Sequence, residues 1–107
     1  MRNAIVGLVR SAGYDALGFA TAEDFLGSAT ARNSACVITD IQMPGMSGIE
    51  LKERLAASQW SVPVIMITAR HDADLEAKAI TSGAVCFLRK PFDASVLLRC
   101  VEAALKS

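Results

Sequence analysis

The sequence predicts an α/β layered fold, a parallel sheet covered by helices on its faces. Three observations carry this reading. Ala35–Thr39, Pro63–Thr68 and Ala84–Leu88 are short apolar runs rich in β-branched residues, the pattern of strands buried on both faces. Capped stretches with helical spacing lie between them. The two kinds of segment alternate, which implies parallel strands joined by helical crossovers. At 107 residues, 52% of them apolar, the chain forms one domain, residues 1–107, with its own core.

Taken in order, Ala4, Ile5, Leu8, Val9 and Ala12 recur at helical spacing, and Gly13 stops that helix. Tyr14–Phe19 is mixed in character and reads as a weaker, peripheral strand. Thr21 followed by Asp24 starts a short helix carrying Phe25 and Leu26. After the strand at 35–39, Ser47 followed by Glu50 is a capping box that opens a helix through about Ala57. After the strand at 63–68, Asp72 caps a helix that ends before Gly83, a C′ glycine leading into the strand at 84–88. Asp93 caps the last helix, where Val96, Leu97, Cys100, Val101, Ala104 and Leu105 form one apolar stripe. The expected order is α-β-α-β-α-β-α-β-α, with four strands and five helices. A doubly wound sheet ordinarily opens on a strand; this order opens on a helix.

Composition removes several function classes. Lys and Arg number 11, as do Asp and Glu, so no net charge draws the chain to a phosphate backbone. The apolar runs Ala4–Val9 and Val62–Ile67 are far too short to span a membrane, and the first, closed by Arg10, is short for a signal peptide. Cys36, Cys86 and Cys100 are odd in number and lack metal-ligand spacing; they read as buried free thiols of a cytoplasmic, reducing compartment. His71 is the only histidine, with no Ser/His/Asp or metal set around it, so the chain does not read as an enzyme. It reads instead as a solvated loop residue. Trp60 reads as packing at the end of the helix at 48–57.

In open α/β sheets, ligands bind at the carboxyl ends of the strands. Here those ends are Asp40, Thr68 and Arg89–Lys90. A carboxylate, a hydroxyl and an ammonium on one rim suit phosphoryl chemistry. The carboxylate can become an aspartyl phosphate. The hydroxyl can donate to a phosphoryl oxygen, and the ammonium can offset its charge. Each residue also has a plain reading: a turn before Pro44-Gly45, β-branched filler, a solvated charge. The residues alone leave both readings open.

The segments Ile38-Thr39-Asp40-Ile41-Gln42-Met43-Pro44-Gly45-Met46-Ser47-Gly48, Val64-Ile65-Met66-Ile67-Thr68-Ala69 and Phe87-Leu88-Arg89-Lys90-Pro91-Phe92 resemble, in order and spacing, the signature segments of response-regulator receiver domains. The resemblance covers essentially the whole chain and is strongest to the nitrogen-fixation and nodulation type of regulator. It implies a flavodoxin-like three-layer fold and a role in two-component phosphorelay signalling. It implies that Asp40 accepts phosphate from a sensor histidine kinase, that Thr68 and Lys90 hold the phosphoryl oxygens, and that Phe87 is a switch aromatic. Phe87 also reads, from its strand, as plain core. The resemblance further implies a cis Lys90–Pro91 bond and a magnesium ligand in the main-chain carbonyl of Gln42. Output would run through the face formed by residues 72–82, 84–88 and 94–106, by dimerisation or by docking another domain.

One feature departs from the family. Receivers open on a hydrophobic central strand ending in two acidic residues that bind magnesium, and residues 1–107 begin at the helix that follows it. The expectation is therefore an N-terminally truncated receiver with weak magnesium binding and impaired phosphorylation. The open slot between residues 14–19 and 35–39 has three possible repairs. The flanking strands close on each other, residues 4–9 fill the slot as a strand, or two chains exchange elements in a homodimer. The helical spacing of residues 4–9 and the Gly13 stop tell against the second, and a dimer with exchanged elements is the favoured repair. A receiver-like interaction module that no longer takes phosphate is the alternative function.

Overall fold

A computed structural model describes residues 2–16, 18–19, 22–28, 35–41, 46–58, 62–69 and 73–106. Among them, α1 (Arg2–Ser11), α2 (Ala22–Leu26), β1 (Val37–Asp40), α3 (Gly48–Ala57), β2 (Val64–Thr68), α4 (Ala73–Thr81), β3 (Cys86–Arg89) and α5 (Ala94–Lys106) follow in that order. The strands form one parallel sheet in the order β1-β2-β3. Ile38 pairs with Ile65, and Ile65 with Cys86, so one row crosses the sheet.

The middle strand organises both cores. Val64, Ile65, Met66 and Ile67 are at most 1% exposed. Successive strand residues point to opposite faces. Val64 and Met66 pack with Val37, Phe25, Leu51, Leu55 and Ala79, beneath α2, α3 and α4. Ile65 and Ile67 pack with Val9, Leu88, Leu97, Val101 and Ala104, beneath α1 and α5. The result is three layers, helices on both faces of the sheet.

The helix signals in the sequence act as expected. Ser47 sits in extended backbone, and its Oγ accepts the Glu50 N–H at 3.1 Å. Gly13 and Gly83 take the positive φ values of 96° and 97° that end α1 and α4, a conformation glycine adopts without strain. The Gly13 N–H donates to the Arg10 carbonyl at 3.0 Å, and Arg10 reaches on to the Ala16 carbonyl at 2.6 Å. Residues 4–9 are helix, not a strand.

Four expectations are corrected. Residues 14–16 and 18–19 are not in a strand, so the described sheet has three strands where four were expected. Without a ladder partner a short mixed segment has nothing to hold it extended; Tyr14 and Ala16 instead pack beside α1 and α5. Only β2 is buried throughout, whereas β1 and β3 alternate or are half-buried, because among the described residues each has a strand neighbour on one side only. The ladders also sit later in sequence than the apolar runs suggest. Pro63 has no N–H to give, so β2 starts at Val64, and Ala84 still donates to Ala79 of α4, so β3 starts at Cys86. Finally, the α5 stripe is narrower: Leu97, Val101 and Ala104 are buried, but Val96 and Leu105 are 36% and 39% exposed. The positions expected for Thr21, Trp60, His71 and Asp72 lie outside the described residues.

Met66 is 0% and Ile80 61% exposed. Met66→Ala is expected to cost about 2–5 kcal/mol of stability, and Ile80→Ala no more than about 0.5 kcal/mol, by urea denaturation.

Candidate functional site

Asp40 is the last residue of β1, and Lys90 follows the last residue of β3. Between them stands β2, so their backbones are two strand spacings, about 10 Å, apart. A lysine stem can cross most of that gap, and it does: Lys90 Nζ lies 3.1 Å from Asp40 Oδ1. The pair therefore arches over the carboxyl end of β2. About a quarter to a third of each side chain remains exposed, 27% for Asp40 and 32% for Lys90, so water and a small anion can approach.

Thr68 ends β2 beneath this arch. It is 3% exposed, and its carbonyl accepts the Lys90 N–H at 2.8 Å. By strand alternation Thr68 shares the parity of Val64 and Met66, toward α3 and α4, whereas Asp40 shares that of Ile38, toward α1 and α5. The hydroxyl thus approaches the rim from the side opposite the ion pair. The Lys90–Pro91 peptide is cis.

The start of α3 fixes the backbone beside Asp40. The Gly48 N–H donates to the Ile41 carbonyl at 2.9 Å. A Cβ at position 48 would sit 2.5 Å from the Asp40 carbonyl oxygen and 3.1 Å from Ile41 Cα. Position 48 must therefore be glycine for helix and strand end to meet this closely. Sequence reasoning assigned Gly48 no separate role. The available signal was a glycine in a first helical turn, where most residues propagate a helix better.

A second missed arrangement lies on the β3–α4 side. Arg89 Nη2 is 2.7 Å from Glu76 Oε2, and the guanidinium carbon stands 5.9 Å from the centre of the Phe87 ring. Phe87 is half-buried and packs against the core under α3 and α4. Gln42 lies outside the described residues.

A hard divalent cation wants several oxygen ligands, usually more than one carboxylate. The described residues hold no cluster of three or more His, Cys, Asp or Glu side chains able to bind a metal ion. Asp40 is already engaged with Lys90. The described residues therefore do not by themselves fit a magnesium centre.

The family model for the response regulator receiver domain matches residues 1–102. The chain belongs to this family. It is 37% identical over 106 residues to the transcriptional regulatory protein FixJ of Bradyrhizobium diazoefficiens, covering 99% of this chain and 52% of that protein. It is 38% identical over 103 residues to the response regulator TodT of Pseudomonas putida strain F1, covering 96% of this chain and 45% of that protein. The solved structure of FixJ-N superposes with a TM-score of 0.88 at 32% identity, covering 98% of this chain and 84% of that one. This chain spans about half the length of those regulators.

The fold is therefore the flavodoxin-like receiver fold. The domain is a receiver of two-component response regulators, a signalling module of a kind that is generally not an enzyme. Such receivers generally bind magnesium at the phosphorylation site and interact with sensor kinases and output domains. Among the described residues no helix is long and apolar enough to cross a membrane.

Two outcomes follow from the geometry. Gly48→Ala is expected to cost about 1–3 kcal/mol in urea denaturation, because backbone must move at the end of β1. Lys90→Met is expected to change stability by no more than about 1 kcal/mol, because the ion pair is partly solvated.

Proposed function

We propose that Asp40 is the phosphoacceptor of this receiver. The observation that carries the reading is the Asp40–Lys90 pair, 3.1 Å apart at the carboxyl edge of the sheet. A phosphohistidine on a sensor histidine kinase is the donor. A carboxylate oxygen of Asp40 attacks phosphorus as the P–N bond breaks, and the electron pair leaves with the imidazole nitrogen. The Lys90 ammonium exchanges a carboxylate oxygen for a phosphoryl oxygen, following the charge onto the transferred group. The Thr68 hydroxyl donates to a second phosphoryl oxygen, which draws the end of β2 toward the site. Phe87 answers that movement as the switch aromatic.

Were magnesium bound, Asp40 and, as the family resemblance implies, the main-chain carbonyl of Gln42 would hold it, and it would supply further charge neutralisation on the transferred group. Among the described residues Asp40 is the carboxylate at the rim, and slow uptake of phosphate is the outcome expected on this reading. The alternative function is a receiver-like interaction module that works without phosphate.

Residues 1–107 act as one receiver domain, in the cytoplasm. Output runs through the face of α4, β3 and α5. Ile80, Val85 and Leu105 there are 61%, 42% and 39% exposed, apolar area that a homodimer or an output domain covers. Element exchange at the free side of β1 is a further route to the dimer.

The test is incubation with acetyl phosphate and magnesium, read by intact mass. A slowly formed adduct that Asp40→Asn abolishes and Lys90→Ala diminishes is expected. A stoichiometric Asp40 adduct at once overturns the impairment, and an adduct that survives in Asp40→Asn overturns the assignment of the site. Light scattering after size exclusion is expected to show a dimer that Ile80→Glu weakens; a monomer at all concentrations excludes it.

A further inference from the structure

Cys36, Cys86 and Cys100 are spread over the sequence and meet in the fold. All three pack against the same core layer, the one that holds Ile65, Ile67 and Leu97. Cys86 opens β3 in register with Ile65, on the sheet face covered by α5. Cys36 lies two residues before Ile38 and so shares that face. Cys100 follows Leu97 by one helical turn and precedes Val101, which puts it on the side of α5 that looks down on the sheet. All three thiols are free and only half-buried, so a small reagent can reach them.

We propose that Cys86 and Cys100 are an oxidative modification site, closing a reversible disulfide between β3 and α5 with a low-molecular-weight disulfide as oxidant. Cys100 is the thiol placed between the other two: it shares their core layer from the α5 side, and it is among the causes that raise the thiols of both Cys86 and Cys36. In the first step the Cys100 thiolate attacks the small disulfide and expels one small thiolate. In the second the Cys86 thiolate attacks the Cys100 sulfur of that mixed disulfide and expels the other half. The two protein thiols lose two electrons, the small disulfide gains them, and the two protons end on its two thiols. The link joins the first residue of β3 to the middle of α5, two elements of the proposed output face, and leaves Asp40 untouched.

The reaction is slow by construction. Burial first, then the neighbouring Cys100, pushes the Cys36 thiol up to about 11. Burial and the contact with Cys100 push Cys86 up to about 12, so both are protonated at neutral pH and Cys86 resolves the mixed disulfide at leisure. The site therefore responds to sustained oxidation rather than to a brief pulse.

The proposal stands apart from the phosphoacceptor reading, and so does its test. The full chain is held in oxidised glutathione, alkylated with iodoacetamide, digested and mapped by mass. The expected result is loss of alkylation at Cys86 and Cys100, retained alkylation at Cys36, a Cys86–Cys100 peptide, and recovery of all three thiols with dithiothreitol. Cys36→Ser keeps the cross-link and Cys100→Ser abolishes it. A link of Cys36 to Cys100, a link only between chains, or glutathione adducts that never resolve would each overturn the proposal, and the wild-type map decides this even if a variant misfolds.

Discussion

Everything in this receiver is arranged around one constraint: β2 is sealed from water on both faces and on both edges. Val64 to Ile67 face two different helix layers by simple alternation, and β1 and β3 close the sides. The carboxyl end of β2 is held as well: the Ile67 carbonyl accepts the Ile41 N–H and the Thr68 carbonyl the Lys90 N–H. Thr68 stands at that end. The part of β2 nearest the Asp40–Lys90 pair is that end.

The arch itself joins strands that do not touch. β1 and β3 are each paired only to β2, yet the Lys90 ammonium reaches the Asp40 carboxylate across it. Its contribution to stability is small, because both groups keep part of their hydration. Its value, on the proposed function, lies in position: a cation stands where a phosphoryl group on Asp40 would bring negative charge, so little reorganisation would be needed. Gly48 serves the same end from below, letting α3 press against the end of β1 and fix the backbone from which the carboxylate projects.

Much of this was legible in the sequence, for identifiable reasons. A middle strand announces itself as an unbroken apolar run, and helix ends announce themselves through local chemistry: Ser47 with Glu50, Gly13 and Gly83. The rim residues were legible because parallel strands all end on one side, so Asp40, Thr68 and Lys90 had to gather there. Tyr14–Phe19 was misread because a weak strand is made by its partner, and partner pairing is not written in the segment. The Glu76–Arg89 bridge and the thiol cluster were invisible for a related reason. Each depends on how a helix is turned over the sheet, which hydropathy fixes to within a face and not to a side chain.

The described edge of β1 closes the reasoning. Val37 and Ile41 donate their N–H groups to β2, through the carbonyls of Pro63 and Ile67. Strand alternation then turns the N–H groups of Ile38 and Asp40 away from β2, toward the outer side of β1. The phosphoacceptor candidate therefore holds its side chain in the site and its amide at the sheet's margin. Whatever lies along that margin is one residue's width from the chemistry. A strand settled there would lie directly beside the carboxylate. The ion pair, at 3.1 Å, links that margin to the residue that follows β3.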